Sequence, residues 1–276
     1  MNKPEVVAVV GVPLDLNSSF LTGSAAAPAC IREALRSESS NLWAENGVDL
    51  GSGEGWRDEG DIGSADEQPS FAHIEDRVRE LLAGDTGVIA LGGDHSISYP
   101  LVRAHAGRHS GMTILHLDAH PDLYDELDGS RMSHGCPFAR IMEEGLAARM
   151  VSIGIRTAND HQRQQAERFG VEMYGVTDDR TAVLASLEPP LYLSIDLDVL
   201  DPAFAPGISH YEPGGLSTRD VLEIIHALPK PPTGADIVEL NPDRDRHGVT
   251  AMVAAKLLKE IVAGMLGVGL LRRRLL

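Results

Sequence analysis

Two short stretches of this 276-residue chain place carboxylates and imidazoles at alternate positions: Asp118-Ala119-His120-Pro121-Asp122 and Asp196-Leu197-Asp198. At strand spacing, residues i, i+2 and i+4 point to one side, so each stretch puts its polar groups on a common face. The first follows the apolar run 112–117, and the second stands at the end of the run 191–197. Carboxylates crowded at the end of a buried strand repel one another and resist desolvation, so they require a compensating cation. Two divalent ions would balance the charge of Asp118, Asp122, Asp196 and Asp198.

A third stretch, Gly92-Gly93-Asp94-His95-Ser96, follows the run 87–91, and Glu239 lies near the end of the run 235–240. Two imidazoles (His95 and His120) and four carboxylates, with no thiolate, form a hard donor set that favours Mn²⁺ over a structural zinc site. Two such ions, bridged by oxygen at roughly 3.5 to 4 Å, would lower the pKa of a shared water towards neutrality. The chemistry expected is hydrolysis.

The elements that must hold these groups are legible as well. Continuous apolar runs at 6–12, 87–91, 112–117, 150–155, 191–197 and 235–240 lack in-out alternation and fit strands covered on both faces. Helical spacing marks 28–42, 71–82 and 217–228. The alternation predicts an α/β fold with a mostly parallel sheet between helices, forming one domain over 1–276. Open sheets of this kind carry ligand sites outside the carboxyl ends of their strands, which is where the polar groups fall. Residues 46–66 and 202–215 read as long surface loops.

With 43% hydrophobic residues the chain can bury a large core. Its formal net charge of -17 argues against nucleic acid or an anionic membrane as partner, and mildly favours a cationic substrate. Only Cys30 and Cys136 occur, too few for a disulfide framework, and no apolar run approaches membrane-spanning length. A cytoplasmic location is expected.

Taken in order, Gly92-Gly93-Asp94-His95-Ser96, Asp118-Ala119-His120-Pro121-Asp122, Ser133-His134-Gly135 and Ser194-Ile195-Asp196-Leu197-Asp198-Val199-Leu200-Asp201-Pro202 resemble the four signature segments of the ureohydrolases, the family of arginase, agmatinase and formimidoylglutamase. Ser209-His210-Tyr211-Glu212-Pro213-Gly214-Gly215-Leu216 and Asn241-Pro242 look like the branch of plant-type arginases and many agmatinases. The resemblance implies a three-layer α/β/α sandwich, two Mn²⁺ per subunit (with Ni²⁺, Co²⁺ or another divalent ion as alternatives) and a homotrimer or homohexamer. It implies that His95 and Asp122 bind one ion, that His120 and Asp198 bind the other, and that Asp118 and Asp196 bridge them. His134 falls on the family's proton-shuttling histidine, and Glu239 on the glutamate that pairs with the guanidinium of a small cationic substrate. Asp94 and Asp201 are expected to orient ligands or form turns. Many relatives carry Thr-Gly-Thr-Pro where this chain has Ile208-Ser209-His210-Tyr211.

The resulting expectation is cleavage of a guanidinium to urea and an amine. Agmatine leads, because Asp125, Glu126 and Asp128 make their segment acidic. Arginine follows closely, since Arg131 could bind its carboxylate. Formimidoylglutamate, guanidinobutyrate and guanidine come next. A non-catalytic metal-binding protein is disfavoured because all six ligand positions are filled, and a serine hydrolase because there is no Gly-x-Ser-x-Gly elbow.

Overall fold

The apolar runs become strands of one sheet. A computed structural model describes residues 4–63 and 67–267, so both ends of the expected 1–276 unit and the tail of the 46–66 loop lie outside the described residues. The elements in chain order are β1 (Val6–Val12), α1 (Ala27–Leu35), β2 (Trp56–Asp61), α2 (Phe71–Leu81), β3 (Thr86–Gly92), α3 (Ser98–Ala106), β4 (Thr113–Leu117) and α4 (Pro137–Glu143). Then follow β5 (Arg149–Ile153), α5 (Asp160–Phe169), β6 (Glu172–Tyr174), α6 (Thr181–Ala185), β7 (Leu191–Asp196), α7 (Thr218–Ala227), β8 (Gly234–Val238) and α8 (Val249–Leu266).

Among the described residues the sheet has eight strands in the order β2-β1-β3-β8-β7-β4-β5-β6, and every pairing is parallel. Alternation divides the core in two. Val9, Ile89, Leu115, Leu193 and Ile237 pack on one face against α1, α6, α7 and α8. Val10, Val88, Ile114, Tyr192 and Val238 pack on the other against α2, α3 and α4. Both faces are covered, which is why the central strands read as unbroken apolar runs rather than alternating ones. The result is the three-layer α/β/α sandwich.

Two expectations need correction. The 46–66 stretch is not all loop, because it contains β2, whose sequence Trp-Arg-Asp-Glu-Gly-Asp hides a strand behind its charges. As the edge strand it faces solvent, where polar side chains cost nothing and protect against edge pairing. The 28–42 helix stops at Leu35. Beyond it, Ser37 and Asn41 side chains accept from the backbone of Ser39 and Trp43, offering the chain an alternative to the helical ladder. By contrast, α7 starts where expected, closed by a reciprocal Ser217–Asp220 capping box.

Candidate metal centre

Strands β3, β8, β7 and β4 lie side by side at the centre of the sheet, so their carboxyl ends bring the polar stretches together. Gly93 makes the approach possible, since a Cβ there would stand 1.9 Å from the Leu14 carbonyl oxygen. After it, Asp94 accepts from Ser96 N at 3.0 Å and opens the 3-10 turn that carries His95.

His95 Nδ1 then stands 3.2 Å from Asp118 Oδ2, 3.0 Å from Asp122 Oδ2 and 3.2 Å from Asp196 Oδ2. His120 Nδ1 stands 2.9 Å from Asp198 Oδ2 and 3.5 Å from Asp118 Oδ1. The expected ligands thus form two groups, His95 with Asp118, Asp122 and Asp196, and His120 with Asp118 and Asp198, and among the described residues His116 makes a third with His95 and Asp118. Asp118 belongs to all three. Asp196 falls in the first group, and its Oδ1 accepts the Asp198 N–H at 2.8 Å.

Would divalent cations fit? Buried His95 Nδ1 and one oxygen each of Asp118, Asp122 and Asp196 converge on one point, with Nδ1 3.0 to 3.2 Å from the three oxygens, which is how the donor atoms of a cation site are arranged. Burial, together with the like charges of Asp198 and Asp118, raises the Asp196 pKa well above the ordinary carboxylate value. Asp196 therefore resists ionisation unless positive charge is added beside it, and hard oxygen and imidazole donors suit a pair of divalent ions.

Beside this cluster lie His134 and Glu239. Both hydrogen bonds of Glu239 fall on Oε1, which accepts from His95 N at 2.8 Å and pairs with His134 Nδ1 at 2.9 Å. Burial opposes charge on His134, but the Glu239 carboxylate outweighs it and raises the imidazole pKa to about 9. Glu239 at φ 67° and Asp122 at φ 50° occupy the left-handed region, a local cost of order 1–3 kcal/mol each that tightly packed functional sites tolerate.

Several groups here escaped sequence reasoning. In register across the sheet stand Asp236, Ser194, His116 and Ser152, one on each of β8, β7, β4 and β5. Ser194 Oγ lies 2.6 Å from Asp236 Oδ1 and 2.9 Å from His95 Nε2. His116 Nε2 lies 2.8 Å from Asp118 Oδ2, and its Nδ1 lies 3.1 Å from Ser152 Oγ. The available signal was a polar residue two positions before Asp118 and before Asp196 on the same strand face, while Asp236 and Ser152 precede no such pattern. Asp94 and Asp201 both serve turns: Asp94 also takes Asn17 N, and Asp201 takes Ala203 N and Gly214 N.

The 202–215 loop does border the cluster, with the His210 ring 5.2 Å from His134 and 6.3 Å from His120. Arg156 pins this loop, donating to carbonyls of Glu212 and Asp198. Arg131, in contrast, is paired with Asp125 and Glu143.

Known proteins resemble this chain in sequence and fold. The family model for arginases matches residues 5–264. Arginase 1, mitochondrial, of Arabidopsis thaliana is 47% identical over 274 residues, covering 93% of this chain and 80% of that protein. An agmatinase of Bacillus cereus is 33% identical over 269 residues, covering 94% and 91%. The solved structure of the arginase from Medicago truncatula superimposes with a TM-score of 0.88 at 40% identity, covering 96% of this chain and 89% of that one. Fold, sequence and clustered ligands agree: the chain belongs to the arginase family, hydrolases of guanidino substrates, the ureohydrolases.

Proposed function

We propose that the chain is a manganese-dependent arginase that cleaves L-arginine to urea and ornithine. The chemistry rests on one observation, the convergence of three buried carboxylates on Nδ1 of His95. The substrate rests on kinship, because plant arginases reach 47% identity where the agmatinases reach 33%. This reverses the order expected from the sequence. The acidic segment that favoured agmatine is partly neutralised, since Arg131 and Arg140 both pair with Asp125.

In this reading His95, Asp122, His120 and Asp198 would hold two Mn²⁺ ions together with Asp118 and Asp196. When bound, the ions would supply Lewis acidity and make water a stronger nucleophile near neutral pH. Glu239 orients the guanidinium through Oε2, the oxygen its two hydrogen bonds leave open. Hydrolysis breaks one C–N bond, and the departing amine needs a proton. His134, held in its charged form by Glu239 while still able to release a proton, is the group placed to give it.

A homotrimer or homohexamer is carried into this proposal on the family resemblance, and light scattering after gel filtration tests it. Two free thiols, Cys30 and Cys136, support a reducing compartment such as the cytoplasm. The plant relatives named mitochondrial bring that organelle forward as the alternative. Among the described residues no helix is long and apolar enough to cross a membrane.

The deciding experiment compares urea release from L-arginine, agmatine, guanidinobutyrate and guanidine, and ammonia or formamide release from formimidoylglutamate, with Mn²⁺ and then Ni²⁺ preloaded. L-Arginine with Mn²⁺ is expected to give the highest kcat/KM. A clear preference for agmatine overturns the substrate, and full activity in metal-free protein overturns the mechanism.

A further inference from the structure

His134 is bonded on both sides. Its Nδ1 meets Glu239, and its Nε2 lies 2.8 Å from the hydroxyl of Ser19. Because the Glu239 carboxylate accepts, Nδ1 carries a hydrogen, and the state of Nε2 is read by Ser19 alone. A serine hydroxyl suits either state, donating to a bare Nε2 or accepting from a protonated one. Ser19 is also exposed, whereas His134 is mostly enclosed.

The loop that carries Ser19 is held from both sides. Asn17 accepts the His134 N–H through its carbonyl at 3.0 Å, donates its own N–H to Asp94 Oδ2 at 2.9 Å and places Nδ2 3.0 Å from Ser96 Oγ. One residue therefore fixes the distance between the Ser19 loop, the His134 loop and the turn bearing His95. The hydroxyl is thus presented to the imidazole by a segment bonded both to the His134 loop and to the turn bearing His95.

We propose that Ser19 is a positioning and proton-relay residue for His134, returning a proton from solvent to Nε2 after each turnover. The inference rests on the arginase reading above. In the step, the Ser19 O–H proton moves to His134 Nε2 as a hydronium ion or a buffer acid gives a proton to Ser19 Oγ. One N–H bond forms, the O–H bond of the serine breaks and is remade, and the positive charge passes from the hydronium or buffer acid to the imidazole, leaving water or the conjugate base.

The test compares wild type, Ser19→Ala and Ser19→Thr, all loaded with Mn²⁺, on L-arginine in dilute and concentrated imidazole buffer. Ser19→Ala is expected to lower kcat roughly tenfold in dilute buffer with little change in KM, less than the 10²–10⁴-fold attached to general acid catalysis itself. Added buffer should restore its kcat, wild type should ignore buffer, and Ser19→Thr should retain the relay. In metal-free protein, the ¹⁵N resonance of His134 Nε2 should shift in Ser19→Ala while Nδ1 stays protonated. Wild-type kinetics in Ser19→Ala, or a loss that buffer does not restore, overturns the relay alone. No turnover of any guanidine by wild type overturns the arginase reading and the relay with it.

Discussion

Ser194 donates its hydroxyl proton to Asp236, Oγ to Oδ1 2.6 Å, and the same oxygen lies 2.9 Å from His95 Nε2, which orients the imidazole. Asp236 also accepts from Ser98 and Tyr192, so it is surrounded by donors and serves only as an acceptor. With its proton committed, Ser194 accepts from His95 Nε2, so Nδ1 is the nitrogen turned to the three carboxylates and to any cation they would hold. Outer groups of this kind orient ligating imidazoles and fix their tautomer.

Ser194→Ala should therefore weaken Mn²⁺ binding by roughly 10–100-fold, the usual cost of losing such a partner. Isothermal titration calorimetry on the variant measures it. Unchanged affinity would show that packing against Phe138, 5.3 Å from the His95 ring, orients the imidazole without help.

Removal of metal should destabilise the fold. Asp196, raised in pKa by burial and by its acidic neighbours, gains most from a nearby cation. An ion present at about 100 times its Kd adds roughly 2.7 kcal/mol, so chelation should lower Tm by several degrees and Mn²⁺ should restore it. Asp198→Ala should lose both the shift and stoichiometric metal. A Tm indifferent to chelator would contradict a cation site here.

Near the end of α3, His105 sets a pH limit on stability. It is fully buried, Nδ1 lies 2.9 Å from the Leu101 carbonyl, Nε2 has no partner, and burial pushes its pKa down to about 4. The unfolded histidine, near 6.5, binds more protons than the folded one between these values, so stability is present above about 6.5 and lost as pH falls towards 4. Between pH 7 and pH 5 this group should cost about 2 kcal/mol. Urea titrations at both pH values should give a smaller difference in His105→Leu; an equal difference assigns the effect elsewhere.

Arg156 fastens the mouth of the site. Its guanidinium donates to carbonyls of Glu212, Asp198 and Gly154, tying β5 to the 198–212 segment. Arg156→Met leaves those acceptors without a donor, and the loss should be about 3 kcal/mol. Chemical denaturation measures the cost, and limited proteolysis should find the 202–215 loop newly accessible. Wild-type stability would mean that water replaces the guanidinium.

The amino-acid sequence by itself determined the central strands and the ligand types. Apolar runs buried on both faces leave an unbroken signature, and Asp118, His120 and Asp122 stand close enough in the chain for their spacing to reveal a shared purpose. The edge strand β2 was hidden because its solvent-facing residues obey no apolar pattern. What only the tertiary structure decided is every relationship between strands: the Asp236-Ser194-His116-Ser152 row, the single oxygen of Glu239 shared by His95 and His134, and the hydroxyl of Ser19 brought 115 residues along the chain to Nε2. The reason is that local spacing fixes which way a side chain points, whereas strand order and register fix what it meets.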